Sequence, residues 1–358
     1  MATERRSEIQ LLRAIAAIEV VVVHSDLVTK HFSPGTVLQG GYELVGGIGV
    51  ELFFIVSGFI MCMRAAESRS GWSFMLGRIR RIAPMYWVFT SLILALSIAQ
   101  PNWMIAPRSL EAERILSSYL ILPQADFPPL GPGWTLEHEM IFYALIACAL
   151  GTLGLKPDAK LAFGWALAVL GAAGCILGPQ EGRSLLSFHV LSPYMFAFSF
   201  GWLVRCWEER QGAGRLWIAF PYALALGVGL GMSSAWGLQL LGRFLAAGTV
   251  FGLFLAGRRM LSADGWLGRA GWELGDASYS IYLAHWFVLS ASGKLLGRLG
   301  APPDAAMALR LLGIASAIAV GLLCFRWFEH PLDRRLRELS FSRTRRLPAQ
   351  PDVRVQRL

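Results

Sequence analysis

The sequence predicts an all-α, polytopic membrane protein of about ten transmembrane helices with both termini in the cytoplasm. Three observations carry that prediction. The 358 residues are 55% hydrophobic and only 16% charged, against roughly 25% charged in ordinary soluble domains. Apolar runs of about twenty residues, the length that spans a hydrocarbon core, recur from one end of the chain to the other. The Lys and Arg residues between those runs are lopsided: 24 fall in segments on one side, 5 on the other and 4 inside the runs. The positive-inside rule assigns the richer side to the cytoplasm. The formal charge of +9 is therefore a topology signal and gives no reason to expect nucleic acid as a partner.

The spans are expected at 9–29, 45–64, 82–100, 136–155, 161–178, 188–206, 216–233, 238–257, 277–297 and 305–328. The longest connection, 101–135, is expected to carry one short amphipathic helix ahead of a Pro/Gly turn. Residues 1–337 read as one transmembrane domain and 338–358 as a basic, disordered cytoplasmic tail, with no internal repeat and no second, soluble domain. The first run is too long and too charged for a signal peptide and is expected to stay as a span. Cys62, Cys148, Cys175, Cys206 and Cys324 lie in or beside apolar runs without CxxC spacing, so they read as buried thiols and not as a disulfide framework.

The first span, LLRAIAAIEVVVVH over 11–24, carries Arg13, Glu19 and His24, although an ionisable group at the bilayer centre costs about 2.5–3.5 kcal/mol. Eleven residues of helix bring Arg13 and His24 to within about 20° of each other and about 16 Å apart, with Glu19 turned away. A guanidinium fork suits phosphate, and an imidazole can take and return a proton near neutral pH. A ligand touching both has a phosphate end and a reactive end on an extended arm, the shape of a coenzyme A thioester. The plainer alternative has Arg13 snorkelling to the inner interface and His24 making an interhelical hydrogen bond.

Other stretches add chemistry. GVELFFIVSGFIM (49–61) opens the second span with Glu51 and contains Ser57-Gly58, small residues that let helices approach closely. RSGWSFMLGRIRRIAPMYW (69–87) sets Arg78 and Arg81 three apart at the cytoplasmic mouth. That pair suits a diphosphate or 3′-phosphate, or plain positive-inside anchoring. GPGWTLEHEMIFYAL (131–145) places Glu137, His138 and Glu139 at an outer helix start, where acidic groups complement the helix dipole. HEMIF lacks the second histidine of HExxH, so no metal is expected. SYSIYLAHW (278–286) puts His285 mid-span, and FEHPLDRRL (328–336) closes the last span.

This set of motifs resembles the acyltransferase-3 family of bacterial integral-membrane acyltransferases, in particular its exopolysaccharide-acetylating branch. The resemblance runs from about residue 7 to 337. The family's Arg/Lys, ten residues, His pattern is met by Arg13 and His24, and its FFxxSG stretch by Phe53 to Gly58. Its RxxR pair is matched by Arg78 and Arg81, with Pro84 and Tyr86 following. Its W[ST]LxxExxFY stretch matches Trp134 to Tyr143, with Glu139 at the glutamate, and its SYSxYLxH stretch matches Ser278 to His285.

The resemblance implies transfer of an acyl group, usually acetyl, from cytoplasmic acyl-coenzyme A to a glycan hydroxyl at or beyond the outer face. Acetyl-CoA is then a donor substrate and no cofactor is permanently bound. The protein is placed in the bacterial inner membrane, with the lipid bilayer, a possibly lipid-linked glycan and polysaccharide assembly proteins as partners. The resemblance makes His24 the catalytic histidine and sets Glu139 beside it as a catalytic candidate. It gives Arg13, Arg78 and Arg81 the donor, and leaves Glu51, His285, Trp134 and Tyr143 as further site residues. Glu137 and His138 stand where the family carries other residues. His24 as general base and His24 as acyl-carrying nucleophile both fit the sequence. The alternative from another class is a transporter or flippase for a lipid-linked sugar. A third is a structural subunit of a polysaccharide export assembly.

Overall fold

The computed structural model describes residues 6–34, 47–100, 110–177, 185–211, 236–259 and 265–344. Among the described residues the chain is helical and contains no strand. Six helical segments are long and apolar enough to cross a membrane: Ile48–Glu67, Gly71–Ala99, Gly131–Leu153, Pro157–Leu177, Leu238–Ala256 and Pro303–Leu336. The expected span at 216–233 lies outside the described residues.

Three other expected spans are helical but interrupted or polar. Helix α1, Ser7–Val23, ends at His24, and a further short turn, α2, covers Asp26–Thr29. The segment expected at 188–206 is split at 191–193 between Leu185–Val190 and Tyr194–Gln211. Pro193, which has no N–H to continue a helix, sits in that break. The helix Ser278–Arg298 begins with Ser278, Tyr279, Ser280, Tyr282 and His285, all at least partly buried among other helices.

The elements that build the site are α3 (Ile48–Glu67), α4 (Gly71–Ala99), α5 (Ala112–Leu120) and α6 (Trp134–Leu153, entered through a 3₁₀ turn at Gly131–Gly133). They continue with α7 (Pro157–Leu177), α8 (Leu185–Val190), α9 (Tyr194–Gln211) and α10 (Trp236–Ala256). Last come α11 (Trp266–Asp276), α12 (Ser278–Arg298), α13 (Ala306–Cys324) and, after a π-helical turn at Phe325–Glu329, α14 (His330–Thr344). The amphipathic helix expected within 101–135 is α5. Helix α14 runs past residue 338, and the rest of the expected tail lies outside the described residues.

Two local differences from the sequence reading matter for function. Helix α4 begins at Gly71, so Arg78 and Arg81 lie inside a helix and not in the expected loop before 82. A capping box starts it early: Ser73 N–H donates to Ser70 Oγ at 3.1 Å and Ser70 N–H donates to Ser73 Oγ at 3.1 Å, satisfying two otherwise orphaned donors. Helix α6 was expected to start at the outer surface. Instead Gly133, just ahead of it, packs on Tyr86 about midway along α4, and Leu130, Pro132 and Gly133 are buried. Glu137, His138 and Glu139 therefore belong to the interior of the bundle.

The tightest seam joins α3 to α9. A Cβ at Gly58 would stand 2.1 Å from the Phe198 carbonyl oxygen, and one at Gly201 1.9 Å from the Ile55 carbonyl oxygen. Beside the seam Phe142 stacks on Phe198 at 4.0 Å, and Trp202 Nε1 donates to the Lys160 carbonyl at 2.8 Å. Gly58→Ala is expected to destabilise the protein by at least the ~1–3 kcal/mol typical of overpacking, because the obstructing atom is backbone. Thermal unfolding in detergent measures it, and an unchanged midpoint would remove the seam from the account of stability. All five cysteines are free; Cys62 and Cys206 are buried, Cys175 and Cys324 half-buried, and Cys148 is exposed on the bundle surface.

Candidate active site

A cavity of about 900 Å³ runs into the bundle, within the size range of sites for large organic ligands. Arg6, Arg64 and Arg334 line it at one end. Farther in come Arg13 from α1, Arg78 and Arg81 from α4, Glu139 and Tyr143 from α6, and Tyr279 from α12. Phe53, Thr135 and Tyr282 lie among its lining as well. The structure thus brings Arg13, Arg78, Arg81, Glu139 and Tyr143 together from three helices.

Their interactions differ. Arg81 is committed to Glu329, which also accepts from Ser280 Oγ at 2.5 Å. Arg13 donates to Gln10 Oε1 at 2.9 Å, and Gln10 Nε2 donates to Asp276 at 2.6 Å. Arg78 lies 5.9 Å from the Phe74 ring centroid, and its buried Nε has no hydrogen-bond partner. Glu139 accepts from Ser57 Oγ at 2.8 Å and from the Tyr143 hydroxyl, and its charge acts on Arg78 and Arg13. A carboxylate held by two hydroxyls offsets part of the positive charge of Arg13 and Arg78. Buried charge needs such compensation.

At Thr135 and Tyr282 the cavity meets a knot of hydrogen bonds. Tyr282 Oη donates to the Pro132 carbonyl at 2.9 Å and lies 2.8 Å from Thr135 Oγ1. Phe53 packs edge-on to Tyr282 at 5.7 Å. His285 lies on the other side of Tyr282, 5.9 Å between ring centroids, and His24 is 5.1 Å from His285. Neither histidine lines the cavity. His24 Nδ1 is 2.9 Å from the Val20 carbonyl oxygen. A carbonyl only accepts, so Nδ1 carries the hydrogen and Nε2 is left as a base.

The remaining expected site residues lie elsewhere. Glu51 is fully buried but does not line the cavity: Arg243 Nη2 reaches its Oε1 at 2.7 Å, and Arg243 also donates to the Gly47 carbonyl at 2.6 Å. Glu19 joins this group through its electrostatic contact with Glu51 and Arg243. Neither Glu51 nor Glu139 contacts His24. Trp134 belongs to an aromatic cluster with His138 at 5.7 Å and Tyr194 at 5.3 Å. Glu137 accepts from Gln124 N–H at 3.0 Å and lies 3.2 Å from His189 Nε2. Among the described residues no cluster of His, Cys, Asp or Glu is arranged to hold a metal ion.

Sequence reasoning missed Gln10, Ser57 as a hydrogen-bond donor, Tyr279 and Glu329. Glu329 had a signal: a lone acid at the end of an apolar run, ahead of His330-Pro331. It falls in the π-helical turn Phe325–Glu329, a feature that clusters at functional sites.

The family comparison matches residues 6–326 to the acyltransferase-3 family, described as an acyltransferase domain. The chain belongs to the acyltransferase-3 family. It is also 31% identical over 318 residues to the exopolysaccharide production protein ExoZ of Rhizobium meliloti (strain 1021), covering 83% of this chain and 92% of that protein. No solved structure matches the chain significantly. An acyltransferase-3 protein built of apolar helices is a multi-pass membrane acyltransferase.

Proposed function

We propose that this acyltransferase-3 protein moves an acyl group, acetyl in the simplest case, from cytoplasmic acyl-coenzyme A to a hydroxyl of an exported glycan. The observation that carries the proposal is the cavity that gathers Arg13, Arg78 and Arg81 and reaches Tyr282, one ring from His285 and two from His24. Arginine forks bind phosphate oxygens strongly, so Arg78 and Arg13 hold the phosphates of the donor. The pantetheine arm lies along Phe53 and Tyr282, and the thioester approaches His24 once the Tyr282–Thr135 knot yields. His24 Nε2 takes the proton of the attacking hydroxyl, the new C–O bond forms, the C–S bond breaks, and the proton passes to the leaving thiolate. Glu139 acts on the arginines and not on His24, since it is bonded to Ser57 and Tyr143.

The likeness to a protein named for exopolysaccharide production supports an exopolysaccharide, or its lipid-linked precursor, as acceptor. The Lys/Arg asymmetry supports both termini in the cytoplasm, and membership of the family supports the bacterial inner membrane. The test is a membrane assay with labelled acetyl-CoA, followed by the mass of surface glycans from cells with and without the gene. A gene-dependent mass increase equal to one acyl group supports the proposal, and its absence overturns it. Arg78→Ala is expected to raise the donor KM roughly ten- to a hundredfold, as loss of a charge-assisted hydrogen bond worth about 1.5–3 kcal/mol implies, with a smaller change in kcat. An unchanged KM would exclude Arg78 from the donor site.

A further inference from the structure

We propose that His285 binds the acceptor: its Nε2 takes a hydrogen bond from the hydroxyl next to the one that His24 deprotonates, so the acceptor is a sugar with two adjacent free hydroxyls. The inference rests on the acyl-transfer reading above and assigns the acceptor side of the same site.

The tautomers come first. His285 Nδ1 lies 2.6 Å from the Tyr282 carbonyl oxygen, and His24 Nδ1 lies 2.9 Å from that of Val20. Carbonyls only accept, so both rings carry hydrogen on Nδ1 and both Nε2 atoms are lone pairs. Two lone pairs cannot bond to each other. His285 is fully buried, and its Nε2 has no partner. An orphaned buried acceptor costs about 1–3 kcal/mol and is rare in folded proteins.

Two hydroxyls of residues beside the pair are already committed. Tyr282 Oη donates to the Pro132 carbonyl, and Ser25 Oγ donates to Val22 while accepting from Arg310. Among the described residues His285 Nε2 accepts no hydrogen bond, and in this assignment the acceptor hydroxyl supplies it. His24 is only half-buried and its ring centroid lies 5.1 Å from that of His285, so an acceptor that enters over His24 comes within reach of both. A single hydroxyl has one hydrogen and serves one lone pair. Neighbouring hydroxyls on one sugar ring serve both. The first loses its proton to His24 as its oxygen attacks the thioester carbon; the second keeps its proton and fixes which hydroxyl is presented.

The test uses full-length protein in cells lacking the chromosomal gene, with the O-acyl ester of their exopolysaccharide located by NMR. The ester is expected on a carbon whose ring neighbour bears a free hydroxyl; an ester on an isolated primary hydroxyl would overturn the proposal. His285→Asn keeps an amide donor toward Tyr282 but has no acceptor where Nε2 stood. It is expected to lower transfer to the de-esterified polysaccharide on the order of tenfold or more, chiefly through a higher acceptor KM, while CoA binding, which belongs to the arginine-lined cavity, stays at the wild-type value. His285→Gln, which returns an amide oxygen to that place, is expected to recover much of the loss. Wild-type glycan transfer by His285→Asn overturns the proposal, as does equal loss of glycan transfer and CoA binding, which marks a structural role. If wild-type cells carry no gene-dependent ester at all, the acyl-transfer reading itself fails, an outcome visible before any His285 variant is made.

Discussion

A His24→Ala protein is expected to lose acyl transfer by roughly 10²–10⁴-fold, the usual contribution of a positioned acid–base group, while binding coenzyme A as the wild type does. The split follows from placement. Arg13, Arg78 and Arg81 line the cavity, whereas His24 lies outside it, past Tyr282 and His285. Removing an imidazole there leaves the three arginines in place. The assay pairs labelled acetyl transfer in membranes with a CoA titration by thermal shift. Unimpaired transfer would sink the assignment of His24; loss of CoA binding would show that donor and base sites are not separate. Acid quenching of wild-type protein during turnover distinguishes the two chemistries: label retained on the protein marks an acyl-histidine intermediate, and its absence leaves His24 as a general base.

Arg243→Met is expected to be the most destabilising single change at the ion cluster away from the site. Arg243 pairs with Glu51, which is fully buried, and also faces Glu19. Taking the cation away strands two carboxylates among apolar helices, and breaking one buried pair by removing a partner typically costs about 3–5 kcal/mol. Glu51→Gln should cost less, because Glu19 remains to face Arg243 and an amide is far cheaper to bury than a charge. The double variant Arg243→Met with Glu51→Gln is expected to regain part of the loss. Thermal unfolding of the solubilised proteins decides it: equal midpoints for Arg243→Met and wild type would mean that the cluster does not hold α1, α3 and α10 together.

Part of the site was legible in the residues. Arg13 and His24 belong to one helix and its cap, and helical spacing needs no tertiary information. Arg78 and Arg81 share a side of α4 for the same reason. What could not be read was which helices face one another. Glu51 reads in the sequence as a further site residue at the start of the second span, but its partner Arg243 comes from a helix nearly two hundred residues along the chain. Glu139 looked like an outer acid next to a catalytic base; the turn at Gly131–Gly133 carries the start of α6 inward to Tyr86, and the acid lands among the arginines.

The sequence by itself determined the class, the membrane environment, the family and the chemistry on each helix, because hydropathy, charge asymmetry and residue spacing are local properties of the chain. The tertiary structure decided how those groups are shared out. It separated an arginine-lined cavity from the His24–His285 pair, put Glu139 with the former, and sent Glu51 and Glu19 to a third place with Arg243. That division is set by close glycine contacts such as Gly58 against the Phe198 backbone and Gly133 against the Tyr86 ring. Such contacts depend on the shapes of two helices at once, and no single stretch of sequence carries both.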